Sequence, residues 1–572
     1  MPLPVLVAAA PAQAAALAVV LLPLAVVAAW LLRFAVGVVR FRRLKLPSPP
    51  VPSLFLGHAG VLLSETSPVI MAKWVKDHGP LIKLRVLGQT MVVLSDPAAA
   101  AKLNRIPGVT KPPLYREFDL PSSRAPSMFS DEGSPFWKAV RVGVAPCFST
   151  TSLKRTFPWL MHLCAAAVEE LSEAARAGAE VDVGDLAARI TSDTIGDMLL
   201  SKDLGGMARH SAAAAAAAAA GGSPAPAAAP LTGPDYIGLV RGYLAALHHR
   251  LNDPLYRFRL GAAARRRTAD MAAWDTAIDA CAREAMAAPP PDYTIAGHLL
   301  KVVDPTTGGP LSLQKLKGEL SIFYIAGFET TSHAITWTLG LLASHPSAQR
   351  RLAEELAAAG LAPTADAPAP RAFEWSDLGR LPFLLAAIRE SMRLFQPAAG
   401  GSLRALPAET EVLGTKLPAG MWVTEPMYAM GRAPFLYSSP DEFRPERWRA
   451  EGGAPPPDPM PFSVGPRDCV GQTLAMLELQ AAIATLAGRF EFSLTDEAAA
   501  LGLGSIAPLQ RLVAHHITMF PRGGLKLCVA ARAPVEVPAG PAGGAAAKAA
   551  GGGGAAAASD VDAARGADQG AA

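Results

Sequence analysis

No charged residue occurs between Pro2 and Leu32, and from Leu17 to Leu32 almost every position is apolar. About 20 helical residues are enough to cross a bilayer core, so the pattern predicts a transmembrane signal anchor over residues 1–32. Pro11 and Pro23 interrupt the run, which a membrane helix tolerates. A cleaved signal peptide would carry charges ahead of a shorter apolar core, and a transit peptide would be rich in Arg and Ser. Here the charges come afterwards, as Arg33, Arg40, Arg42, Arg43 and Lys45 without an intervening acid. Basic residues placed so stay on the cytoplasmic side. Leu46-Pro47-Ser48-Pro49-Pro50-Val51-Pro52 follows as a stiff extended spacer. Residues 33–52 therefore read as a basic and proline-rich hinge, with the body facing the cytosol.

Beyond the hinge the spacing of apolar residues is mostly helical. Leu81–Val86 and Met91–Leu94 read as short strands. The strongest element is Leu313–Ser344: Ser312 can cap its start, no proline interrupts it, and His345-Pro346 ends it. Its middle is apolar on every side, as in a helix through the centre of a large core. A second membrane span would put Glu329 and His333 in lipid, at roughly 2.5–3.5 kcal/mol or more each, which favours the buried helix. Residues 211–230 read as an Ala/Pro-rich insertion, and 536–572 as a disordered Ala/Gly-rich tail. No linker separates two cores, so residues 53–535 are expected to form a single catalytic domain, mainly α with small β-sheets (α+β).

Composition narrows the class further. A chain of 572 residues, 51% hydrophobic and 18% charged, is neither disordered, collagen-like nor a coiled coil. Subtracting the five basic residues of the hinge from the net charge of +4 leaves the remainder at −1, which gives no nucleic-acid footprint. The five cysteines, at 147, 164, 281, 469 and 528, are too scattered for a disulfide framework or a CxxC metal site. Cys147, Cys164, Cys281 and Cys528 read as small buried hydrophobes.

Cys469 is different. It lies in Pro461-Phe462-Ser463-Val464-Gly465-Pro466-Arg467-Asp468-Cys469-Val470-Gly471, just ahead of a helical pattern from Gln472 to Leu486. Gly465 and Gly471 allow tight folding around a protruding sulfur, and Arg467 offers a fixed cation to a carboxylate. A helix N-terminus lowers a thiol pKa, and a lone thiolate held this way suits axial ligation of haem iron. Phe-x-x-Gly-x-Arg-x-Cys-x-Gly fixes five positions, a match expected by chance on the order of once in 10,000 chains.

At these residues the chain resembles the cytochrome P450 family, the haem-thiolate monooxygenases. Four further segments carry the resemblance in the family's order: Trp137-Lys138-Ala139-Val140-Arg141, Ala326-Gly327-Phe328-Glu329-Thr330-Thr331, Glu390-Ser391-Met392-Arg393 and Phe443-Arg444-Pro445-Glu446-Arg447-Trp448. The resemblance implies the cytochrome P450 fold and a haem b cofactor. It implies Cys469 as the metal ligand, with Arg467, Trp137, Arg141, Arg404, Phe462, Gly465 and Gly471 also binding the haem. Trp137 and Arg141 lie one turn apart and could reach one haem carboxylate. Glu390, Arg393 and Arg447 are implied to form a buried network that locks the cysteine segment.

Glu329 and Thr330 are the implied catalytic pair, Thr330 ordering a water and Glu329 relaying protons, with Gly327 opening a notch for dioxygen. The expected partners are an NADPH-cytochrome reductase, dioxygen, a lipophilic substrate (fatty acid, sterol, terpenoid or carotenoid) and a membrane, with no nucleic acid. The implied setting is the endoplasmic reticulum membrane, single-pass, catalytic domain cytosolic. A haem-thiolate isomerase or dehydratase acting on a peroxide, and a non-catalytic haem-binding protein, are the alternatives; neither needs the acid–Thr pair. The chain departs from the family at Gln396, where proline is frequent, and at Met430-Gly431-Arg432, which replaces a common His-Arg pair. The insertion falls where the family builds its substrate lid.

Overall fold

A computed structural model describes residues 25, 28–29, 31–123, 125–208, 235–253, 256, 260–449 and 456–536. Most of the expected anchor, the whole 211–230 insertion and nearly all of the tail lie outside the described residues. Among the described residues, no helix is long and apolar enough to cross a membrane.

The first alternating segment of the body forms a hairpin, β1 (Leu81–Val86) and β2 (Gln89–Leu94), paired from Leu81↔Leu94 to Val86↔Gln89. Residues 31–43 are helical, and that segment is docked on the hairpin. Lys83 Nζ donates to the Phe41 carbonyl at 2.8 Å and Thr90 Oγ1 to the Gly37 carbonyl at 3.3 Å. Gly37 is needed there, since a Cβ on it would lie 1.7 Å from the Gly88 oxygen. Four of the five basic residues sit on this helix, Lys45 following it, and the stretch around Pro47–Pro52 is extended.

The helices then follow: α1 (Pro135–Val144), α2 (Thr150–Ala177), α3 (Val183–Leu200), α4 (Tyr236–Asn252), α5 (Ala262–Ala287), α6 (Leu313–Ser344) and α7 (Pro382–Leu394). A short strand, β3 (Glu180–Asp182), precedes α3. Besides a small hairpin at Thr410–Leu417, the remaining strands are β4 (Ser402–Ala405) and β5 (Trp422–Glu425), then, after α8 (Gln472–Arg489), β6 (Phe490–Leu494), β7 (Val513–His515), β8 (Met519–Pro521) and β9 (Lys526–Ala531). Strand order β1-β2-β5-β4 makes the largest sheet, with β2 and β5 parallel. β3-β9-β6 makes a second sheet, and β7 and β8 form a hairpin.

α6 has the bounds its sequence predicts. Ser312 Oγ accepts the Lys315 N–H, and Pro346 forces His345 out of the helical region at φ −125°, ψ 77°. α6 is buried on nearly all sides between α3, α5 and α8, which is why no amphipathic stripe marks it. A Cβ on Gly327 would meet Ile195 of α3 at 2.7 Å. Gly327 therefore lets two helices approach closely, and the expected oxygen notch is filled by Ile195.

Candidate active site

The cysteine loop is shaped by its backbone. The Cys469 N–H donates to the Phe462 carbonyl at 2.8 Å and the Asp468 N–H to the Gly465 carbonyl at 3.0 Å. Gly465 sits at φ 86°, and a Cβ there would come within 3.0 Å of the Asn104 oxygen, so only glycine suits it. Gly471 is less demanding: its φ is −86° and a Cβ would make ordinary contact with Phe148 and Cys469 Sγ. It is the residue before α8, so Cys469 stands just ahead of a helix N-terminus, as expected. The thiol is open on one side, yet burial of its other sides pushes its pKa up, outweighing the Gly471 N–H and Arg141, which lower it. The helix end alone does not make this sulfur a thiolate.

Around the loop lies a cluster of cations. Arg467 stacks its guanidinium 4.4 Å over the Trp137 ring and donates to the Asp131 carbonyl at 2.8 Å, while its Nη2 is buried without a partner. Arg404, on β4, donates from Nε to Asn104 Oδ1 at 2.6 Å, and both of its Nη atoms are buried and unpartnered. Asn104 in turn donates to both oxygens of Glu425, at 2.9 and 3.0 Å. Burial raises the Glu425 carboxyl to about 7, against the pull of Arg404 and Asn104. Lys111 completes the group. Burial, and then the charges of Arg404 and Arg467, hold its pKa well below the usual lysine range. Arg467 itself is lowered to about 10, by burial first and then by Arg404.

Lys111, Asn104 and Glu425 went unseen in sequence because no spacing ties them to the cysteine. Arg141, whose charge also lowers Arg467, spends its donors on the cysteine loop. It donates to the Asp468 carbonyl at 2.7 Å and pairs with the Asp468 carboxylate, so it braces the cysteine loop; the acid beside Cys469 was the signal for that partner.

The Glu-x-x-Arg pair is fully assembled. Arg393 donates from Nε and Nη2 to the two Glu390 oxygens, each at 2.8 Å, and to the carbonyls of Gly431, Pro440 and Glu442. Arg447 Nε reaches Glu390 Oε1 at 2.8 Å and Trp448 Nε1 reaches Oε2 at 2.8 Å. Burial raises the Glu390 pKa, but the Arg393 hydrogen bond and the two arginine charges more than reverse this, leaving it below the ordinary range.

On α6, Thr330 and Ala326 share the open face, Ala326 being exposed within an otherwise buried helix. The Thr330 hydroxyl donates to the Ala326 carbonyl at 2.7 Å, the back-bond Thr commonly makes. Glu329 points elsewhere, toward the β7–β8 hairpin. Burial raises its carboxyl to about 7 and the Thr518 hydroxyl lowers it. Phe148, which contacts Gly471, stacks on Phe323 of α6 with centroids 6.4 Å apart, linking the cysteine loop to the helix.

Haem b fits this site. Buried, unpartnered donors on Arg404 and Arg467, beside a destabilised Lys111, need an anionic partner, and the two carboxylates of haem supply one. Arg404, Arg467, Lys111 and Trp137 would hold those carboxylates and Cys469 the iron. A helix-rich fold with one such cysteine and this cationic seat defines a haem-thiolate protein.

The comparisons agree. The family model "Cytochrome P450" matches residues 47–501; the chain belongs to the cytochrome P450 family. It is 37% identical over 211 residues to "Cytochrome P450 monooxygenase ABA2" of Pyricularia oryzae, covering 35% of this chain and 48% of that protein. It is 36% identical over 187 residues to "Cytochrome P450 4d2" of Drosophila melanogaster, covering 32% and 36%. "25-hydroxyvitamin D-1 alpha hydroxylase, mitochondrial" of Homo sapiens is 37% identical over 182 residues, covering 32% and 35%. The chain thus spans under half the length of these curated relatives. The crystal structure of the cytochrome P450DA heme domain superposes with a TM-score of 0.67 at 22% identity, covering 86% of this chain and 98% of that one, a likeness of fold.

Proposed function

We propose that the chain is a monooxygenase that inserts one atom of dioxygen into a lipophilic substrate, taking electrons from an NADPH-dependent reductase. Bound haem supplies the binding and activation of dioxygen. The observation that carries the reading is on α6: Thr330 on the open face, next in sequence to a Glu329 carboxyl that burial raises to about 7. A carboxyl so tuned gives and takes a proton near neutral pH. Thr330 trades its bond to the Ala326 carbonyl for one to an ordered water, and the Glu329 carboxyl swings from the β7–β8 hairpin to feed that water protons. Arg404, Arg467 and Trp137 orient the cofactor, Arg141 steadies the Cys469 loop, and Glu390, Arg393 and Arg447 hold the frame behind it. Ile322, Phe323 and Ala326 give the open side an apolar lining, which supports a fatty acid, sterol, terpenoid or carotenoid as substrate. The names of the relatives, monooxygenase and hydroxylase, support the same reaction class.

The apolar run before Arg33 supports a single-pass anchor in the endoplasmic reticulum membrane with a cytosolic body. Protease protection of the body inside intact microsomes would contradict that orientation.

The test of the reaction is product formed per NADPH consumed, with peroxide quantified in parallel. Thr330→Ala and Glu329→Gln should keep haem and lower that ratio while peroxide rises. Full coupling in both would mean a different proton path, and product formed without NADPH would favour peroxide rearrangement instead. Cys469→Ala should lose the red-shifted Soret band of the reduced carbon monoxide complex, which Cys164→Ala keeps.

A further inference from the structure

Glu329, His333 and Trp337 recur every fourth residue on α6 and form one stripe, and that stripe faces the β7–β8 hairpin. Trp337 Nε1 donates to the Met519 carbonyl at 3.2 Å, and the His333 ring stacks on Phe520 with centroids 5.9 Å apart. Between them the turn carries Thr518, itself 7% exposed, whose Oγ1 lies 3.1 Å from His333 Nδ1. The Thr518 hydroxyl also acts on the Glu329 carboxyl, which it lowers, and Glu329 Oε2 is buried without a partner. A carboxyl, a hydroxyl and an imidazole are thus gathered between α6 and the hairpin. A hydroxyl can donate and accept at once, so this group can pass a proton as well as hold one.

We propose that Glu329 is reprotonated through the Thr518 hydroxyl from His333, so that the C-terminal hairpin carries a positioning residue and α6 a second proton carrier for the reaction. The proposal rests on the reading of Glu329 as proton donor given above. His333 is half-buried. Nε2 takes a proton from a solvent hydronium ion, which becomes water. Nδ1 gives its proton to Thr518 Oγ1, the hydroxyl's own proton passes to the Glu329 carboxylate, and His333 is left neutral with its hydrogen on Nε2.

The surroundings favour a neutral relay. Burial, and then the Arg241 charge from α4, lower His333 to about 3, so the ring shuttles between neutral tautomers and does not rest as a cation. Arg241 also acts on Glu329, which it lowers. Among the other titratable groups of the hairpin and α4, His515 is lowered to about 4, and His516 shares Phe520 with His333 at 4.9 Å, stacks on His248 with centroids 4.1 Å apart and meets Glu65 at 3.3 Å.

The experiment uses the haem-loaded full chain and two readouts. One is the protonated-carboxyl band of Glu329 in pH-difference infrared spectra, identified by its loss in Glu329→Gln. The other is product per NADPH. Thr518→Val should move the midpoint of that band up by about one pH unit, the size of one hydrogen bond to a charged group. It should also lower coupling as far as Glu329→Gln does, and Thr518→Ser should restore both. His333→Asn keeps a donor for Thr518 but cannot relay, so it should leave the band near its usual midpoint and still lower coupling. If Glu329→Gln lowers coupling but Thr518→Val and His333→Asn do not, the relay is overturned while the monooxygenase reading stands. If Glu329→Gln itself keeps full coupling, the relay and the reading of Glu329 as proton donor both fall.

Discussion

Arg393 and Arg404 are 0% and 1% exposed, and burial alone would make them equivalent. Their partners separate them. Every nitrogen of Arg393 donates, to Glu390 or to backbone carbonyls, whereas Arg404 uses Nε alone and buries two orphaned donors. The acids differ in the same sense: Glu390 is held below its ordinary pKa by two arginines, and Glu425 is pushed up to about 7 by burial. One region is complete within the fold; the other is complete only with an anion. Counting partners, rather than exposure, distinguishes a structural lock from a ligand seat.

The largest expected effect breaks the complete region. Arg393→Met strips Glu390 of its bidentate partner and frees three carbonyls, a loss of about 3–5 kcal/mol out of a typical total near 5–15 kcal/mol. The expected outcome is little soluble folded protein, by far-ultraviolet circular dichroism and denaturant unfolding. An unchanged midpoint would erase the contrast. Arg404→Met should do the reverse to apoprotein, leaving it as stable or more stable by about 1–3 kcal/mol, since orphaned buried donors are removed. It should also release haem about tenfold faster, read by transfer to an excess of a haem acceptor. A destabilised apoprotein would show that Arg404 is structural after all.

Lys111→Met should have the same sign and a smaller size. Combined with Arg404→Met it should add less than the sum, because each cation relieves strain on the other. The smallest effect is a slope. Glu425 has a folded pKa above its ordinary value of 4.5, so its contribution is full below 4.5 and lost as pH rises through about 7. Glu425→Gln should flatten the decline of apoprotein stability between pH 5 and 8, measured by urea midpoints across that range. Glu390 has the opposite sign: its contribution is present above the ordinary value and lost in acid. An unaltered slope in Glu425→Gln would mean that Arg404 keeps the acid ionised.

Much of the frame was legible because it is local. The start and end of α6 follow from Ser312 and Pro346, β1 from a run of six residues, and the cysteine loop from glycine placement. Other readings failed for want of a neighbour. Gly327 looked like a notch for oxygen and is where Ile195 packs. Arg141 looked like a haem ligand and is taken by Asp468.

The sequence by itself determined the family, the cysteine and the residues of the acid–arginine network, since each is written in short spacings that any backbone of this class must respect. Tertiary structure alone decided which charges find partners. Arg404 meets Asn104 across 300 positions of chain and Thr518 meets His333 across 185. No periodicity encodes such a meeting, because it depends on how whole helices and sheets pack, and it is there that buried donors are either satisfied or left waiting for a ligand.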